Sequence, residues 1–105
     1  MDKAVYKKDY KVYISGKITG LPLADAIGNF QEAEQRLKRA GFKTFNPFNN
    51  GLDIDAPYEE HMRADLKALE TCDAIYLMDN WTNSKGARAE YEKALELELD
   101  ILKFS

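Results

Sequence analysis

Two carboxylates fall where amphipathic helices should carry none. In "NSKGARAEYEKALE" (83–96), at about 100° per residue, Ala87, Tyr91, Ala94 and Leu97 share one face, and Glu90 lies inside that apolar arc. Glu92, Lys93 and Glu96 lie opposite, as surface charges should. Within 57–72, Tyr58, Met62, Leu66 and Leu69 form the inner face, and Asp65 falls between Leu69 and Cys72 on it. A lone buried carboxylate is costly unless paired or neutralised. Two acids aimed inward from different helices are tolerable if they meet in a polar, wet or ligand-filled cleft. The alternative is that each stays at the rim, favouring its helix dipole or pairing with Arg63 or Arg88. Glu98 also projects onto the inner arc near its helix end.

Other candidates surround these acids, each with two readings. Ser84 opens a helix, Gly86 allows close backbone approach, and the free amides there suit an anion, with Lys85 and Arg88 adding positive charge. The same residues also make an ordinary serine-capped helix. Tyr13 is either core or a hydroxyl delivered to the cleft. Ser15 and Gly16 begin "SGKITG" (15–20), a phosphate loop in composition only, since it has neither GxxxxGK[ST] nor GxGxxG spacing. Trp81 either stacks on a base or closes the core, and Asn46 and Asn49 either line the cleft or shape a turn. His61, the single histidine, lies off its helix's apolar arc and reads as a surface residue. It offers no metal set. Cys72 reads as a small buried hydrophobe.

The elements that must position these groups alternate. "KVYIS" (11–15) is a strand, followed by a loop over 16–25 and a helix over about 25–40, with Ala26, Ile27, Phe30, Ala33 and Leu37 inward and Gly41 as its cap. "FKTFNPF" (42–48) is a strand that breaks at Pro47. Turn residues 49–57 lead, through Asp55 and Pro57, into a helix over 57–72. "DAIYLMDNW" (73–81) reads as a strand covered on both faces, then come a helix over 84–99 and a last strand at 101–104. Strands alternating with helices imply a parallel sheet with right-handed crossovers. The expected architecture is an α/β three-layer sandwich, a single domain over 1–105 with a small parallel sheet of four or five strands. Such sheets bind ligands at the carboxyl ends of their strands, here 16–24, 46–55 and 79–86.

Composition narrows the functional classes. The chain has 105 residues, 45% hydrophobic and 31% charged, with a net charge of −3, and carries no basic stripe of the kind that grips a nucleic-acid polymer. The locally basic "KAVYKKDYK" (3–11) reads as a solvated lead-in to the first strand. One cysteine excludes an internal disulfide and suits a reducing cytosol. No apolar run reaches the length of a membrane span or a signal core, so a cytoplasmic protein without membrane contact is expected.

"VYISGKITG", "RADLKALETCDAIYLM" and "SKGARAE" together resemble the signature segments of the nucleoside 2-deoxyribosyltransferase-like superfamily, over about residues 11–104. The resemblance implies a flavodoxin-like sandwich and a small-molecule nucleoside or nucleotide ligand. It implies Glu90 as nucleophile, Asp65 protonating the leaving base or holding the sugar, and Tyr13 orienting Glu90. It implies Ser84 at a 5'-phosphate, which leans toward a nucleotide. It also implies a homodimer or larger assembly, because enzymes of this kind complete their site with a polar residue from a neighbouring subunit's C-terminal region, for which this chain shows no counterpart.

The chemistry implied is cleavage or transfer of an N-glycosidic bond, with oxocarbenium character at C1' trapped as a glycosyl-enzyme ester. Trp81 or Phe48 would stack on the base, Ser84, Gly86, Ser15, Gly16 and Asn46 would line the ligand, and no metal or organic cofactor is required. The rival expectation is a nucleotide-binding or sensor module without turnover; a third is a purely structural protein.

Overall fold

Four strands and three helices alternate along residues 9–103, the part of the chain that the computed structural model describes. They are β1 (Lys11–Ser15), α1 (Leu23–Arg39), β2 (Lys43–Phe45), α2 (Tyr58–Leu69), β3 (Ala74–Leu77), α3 (Lys85–Glu96) and β4 (Asp100–Lys103). All pairings are parallel, in the order β2-β1-β3-β4. Parallel neighbours need crossovers, and each crossover here carries a helix. The basic lead-in, from its start to Lys8, and Phe104 of the last expected strand lie outside the described residues.

Side-chain alternation on the two central strands sorts the layers. Val12 and Ile14 of β1, with Ala74 and Tyr76 of β3, pack against Phe30, Ala33 and Leu37 of α1. Tyr13, Ile75 and Leu77 face the other way, against Leu69 of α2 and Ala94 of α3. The sheet is therefore the middle layer of a sandwich, with α1 on one face and α2 and α3 on the other. All four residues of β3 are buried, as its near-continuous apolar run demands.

Several expected boundaries move, each for a local reason. The second strand stops at Phe45 because Asn46 accepts a hydrogen bond from the Phe48 amide (3.0 Å) and turns Pro47–Asn49 into a 3-10 helix. The third strand stops at Leu77, since the Trp81 amide reaches back to the Met78 carbonyl (3.0 Å) and opens a second 3-10 turn, Trp81–Asn83. Helix α2 closes at Leu69, three residues short of the expected end, where Thr71 and Cys72 bond back in a turn. Tyr58, expected inward, is 43% exposed because it stands in the first turn of α2, beyond the sheet's cover. Glu98, which the wheel puts inside, is exposed because α3 ends before it.

Two helices end by the same device with different residues. After α1, Phe42 N–H bonds to Leu37 O (3.1 Å) and Gly41 N–H to Lys38 O (2.9 Å), with Gly41 at φ 96°. After α3, Leu99 N–H bonds to Ala94 O (3.0 Å) and Glu98 N–H to Leu95 O (3.1 Å), with Glu98 at φ 58°. Both are Schellman closures, which place one residue in the left-handed region. Glycine enters that region freely, whereas a side chain raises the cost by about 1–2 kcal/mol. Glu98→Gly should therefore stabilise the protein by about 0.5 kcal/mol after the added unfolded-state entropy, and Gly41→Ala should destabilise it by about 1 kcal/mol. Thermal unfolding of both variants checks the opposite signs, each worth a few degrees in a domain of this size.

Candidate active site

The carboxyl ends of β1, β2 and β3 open into one cavity of about 860 Å³, walled by residues from 16–19, 47–56 and 83–87 and floored by α2 and α3. Its entrance is apolar, with Leu23, Leu52, Ile54 and Tyr58 exposed around it, and Phe48 stands edge-on to Phe30 in the wall (5.3 Å between ring centroids). Its depth holds both inward-pointing acids. Gly16 is needed at the wall, because a Cβ there would lie 2.6 Å from Met78 Sδ and 3.1 Å from Met78 Cβ. The loop it begins is pinned by the Lys17 amide donating to Asn80 Oδ1 (2.9 Å).

Glu90 is 6% exposed and bound at both oxygens. Tyr13 Oη donates to Oε2 and Ser15 Oγ to Oε1, each at 2.7 Å. The arrangement follows from strand geometry: residues i and i+2 share a face, and on β1 that face looks toward α3. Burial pushes the Glu90 carboxyl up to about 8; the Tyr13 and Ser15 hydrogen bonds pull it back part of the way, and the charge of Asp65 adds to the rise. Tyr13, fully buried, is raised well above the usual phenol range by burial and then by the charge of Glu90.

Asp65, 5% exposed, is held differently. Its Oδ1 accepts from Asn50 Nδ2 at 3.0 Å, and the same amide nitrogen lies 3.0 Å from His61 Nδ1. Burial raises its carboxyl, while the Asn50 hydrogen bond and the nearby His61 oppose the rise. Neither acid takes an arginine among the described residues; Arg88 instead donates to the Thr82 carbonyl (3.0 Å) at the surface. The rim-and-arginine alternative thus fails for both.

At the α3 N-terminus Ser84 caps the helix, its Oγ accepting from the Ala87 amide at 3.1 Å, and Ser84, Lys85 and Gly86 all line the cavity. The Lys85 ammonium sits 5.8 Å from the centre of the Tyr58 ring. Gly86 also serves packing, since a Cβ there would stand 3.3 Å from Met62 Sδ and 3.4 Å from Tyr58 Oη.

Three expected ligand contacts lie elsewhere. Ser15 is fully buried and its hydroxyl is spent on Glu90. Asn46 caps its own turn and donates to Glu34 Oε1 (3.4 Å), so its amide serves the loop. Trp81 packs on Tyr91 (4.7 Å between centroids) in the core cluster behind the cavity, because the 3-10 turn swings it away from the opening. Phe48 is the aromatic that reaches the wall. His61 is not the surface residue expected: it is half-buried and lines the cavity. The spacing held the signal, since His61 and Asp65 are four apart and share a helix face. Nothing in "NNG" marks Asn50 as their common partner.

The three layers, the parallel sheet and a cleft at its carboxyl edge carrying two buried acids define a flavodoxin-like α/β protein. The chain belongs to the family described as Domain of unknown function (DUF4406), which matches residues 10–103. No curated protein matches. Among solved structures it is similar to "2-desoxiribosyltransferase from Leishmania mexicana", at 19% identity and a TM-score of 0.67, over 91% of this chain and 64% of that one. The chain thus spans 64% of the length of that protein. At this identity the likeness is one of fold.

The raised carboxyl of Glu90 has a thermodynamic sign. Its folded value, about 8, lies above the ordinary 4.5, so the folded protein holds a proton that the unfolded chain releases between those values. The resulting stability is fully present below pH 4.5 and is lost as pH rises through about 8, at about 1 kcal/mol per pH unit. Glu90→Gln, which cannot ionise, should flatten the fall in melting temperature across this window and exceed the wild type at its alkaline end. Melting curves recorded across that range test this; parallel curves for the two proteins would place the proton elsewhere.

Proposed function

We propose that this protein cleaves the N-glycosidic bond of a nucleoside or nucleoside 5'-monophosphate, passing the sugar to water or to a second base through an ester on Glu90. The observation that carries this reading is Glu90 itself, a buried carboxylate at the cavity floor with both oxygens bracketed by hydroxyls from one strand. Such bracketing fixes a nucleophile without neutralising it, unlike an arginine clamp.

In the proposed reaction one Glu90 oxygen bonds to C1' as the C1'–N bond breaks, and the bonding pair leaves on the base nitrogen. Asp65 donates the proton that neutralises the departing base. An incoming water oxygen then bonds to C1', the ester bond breaks back to Glu90, and Asp65 recovers a proton from that water. If a second base attacks instead, its N–H supplies the proton and the product is a new nucleoside. One proton shared by the two acids suffices: carried by Asp65 it leaves Glu90 free to attack, and carried by Glu90 it stores the site at rest. Tyr13 and Ser15 aim Glu90. Ser84, Lys85 and the first-turn amides of α3 suit a 5'-phosphate, and Phe48 offers an edge or face to the base.

A non-catalytic nucleotide sensor is the second reading, favoured by the same raised carboxyl, since a protonated Glu90 is no nucleophile. Incubation with each deoxynucleoside monophosphate, followed by chromatography for free base, separates the two. Base release is expected. It should vanish in Glu90→Ala, drop roughly 10²–10⁴-fold in Asp65→Asn, and decline above about pH 8 as the pair loses its last proton. Full activity in Glu90→Ala would remove that residue from the nucleophile's role. Saturable nucleotide binding, seen as a rise in melting temperature without base release, would favour the sensor.

A further inference from the structure

Asn50 bonds to two cavity-lining residues of α2, and the way its side-chain amide is engaged on both sides dictates the state of one of them. The Leu52 amide donates to Asn50 Oδ1 at 3.0 Å. Leu52 N–H can only donate and the Asp65 carboxylate accepts, so the amide sits with its oxygen toward Leu52 and its NH₂ toward α2. That NH₂ has two protons and meets two partners, Asp65 Oδ1 and His61 Nδ1, each at 3.0 Å. His61 Nδ1 must therefore offer a lone pair, and the neutral ring carries its proton on Nε2. The ring lines the cavity, and nothing among the described residues accepts from Nε2.

We propose that Asn50 is a positioning residue that locks His61 as its Nε2–H tautomer and orients Asp65 with the same amide, so that His61 presents one N–H donor to an acceptor atom on the bound ligand. The acceptor class is a carbonyl oxygen or an unprotonated ring nitrogen, both of which nucleobases carry on their edges. The ligand's identity as a nucleobase rests on the function proposed above; the tautomer does not.

His61 is the only histidine in the chain, so its imidazole signals need no assignment. Two-bond proton–nitrogen correlation spectra of ¹⁵N-labelled protein, recorded at about pH 9, above the range in which imidazoles ordinarily titrate, read the tautomer directly. The wild type should be Nε2–H alone. Asn50→Asp puts an acceptor opposite Nδ1 and should move the proton there, and Asn50→Ala should give both forms. A wild-type ring protonated on Nδ1 would overturn the proposal even if neither variant folds, as would unchanged Nε2–H in Asn50→Asp. With deoxynucleotide substrates, His61→Phe should raise KM roughly tenfold or more with a smaller change in kcat, since the lost contact binds the base; an unchanged KM would overturn the ligand contact. If no substrate releases base, the function proposed above fails while the tautomer result stands.

Discussion

A carboxyl group enclosed by protein, with no cation bonded to it among the described residues, is the constraint around which this molecule is organised. Burial raises the Glu90 carboxyl to about 8, and a pair of hydroxyls spaced two residues apart on β1 bonds both its oxygens and offsets part of that rise. The spacing works only because β1 is a central strand whose Tyr13–Ser15 face looks at α3. Moving the register by one residue would present Val12 and Ile14 instead and leave the acid buried and unbonded. The sheet order, the placement of α3 and the depth of the cavity are thus conditions on one another. The second acid is held on separate terms, by a loop amide on the opposite wall. Two acids with different supports in one enclosure can divide a proton between them, which is how a single fold sets an attacking group beside a donor.

Most of the scaffold was legible in the sequence because it is governed by local periodicity. The apolar arcs of the helices, the glycine after α1 and the unbroken hydrophobic run of β3 each report an environment averaged over many neighbours. So does the inward aim of Glu90 and Asp65, which the wheel detects because it conflicts with the residues around it. Glu98 conflicts in the same way and is exposed, since the wheel assumes a helix that there has already ended. The strand boundaries were overextended where a side-chain cap or a 3-10 turn intervened, and neither leaves a periodic trace.

What the sequence does not disclose is the direction of side chains set by partners or turns outside the local pattern. Ser15 both ends the first strand and begins "SGKITG", and its place on the Tyr13 face assigns it to the acid rather than to the loop. Trp81 follows β3 with two readings open, ligand contact or core, and a single 3-10 turn decides for the core. Asn50 shows the limit most plainly: its amide gains meaning only from His61 and Asp65, which come from a helix that starts several residues later and folds back over it. Loop chemistry of this kind depends on how elements dock, and docking is a property of the whole chain.

The Tyr13–Glu90 contact joins positions 77 apart, and the strand and helix it links meet only after the crossovers between them have formed. A chain that has built its helices but not yet seated α3 on β1 holds an ordinary carboxylic acid at that position. The displaced titration of this one group is therefore a signature of α3 seated on β1, and it is forfeited when α3 loosens. Proton uptake on refolding at neutral pH would report that seating without any attached probe.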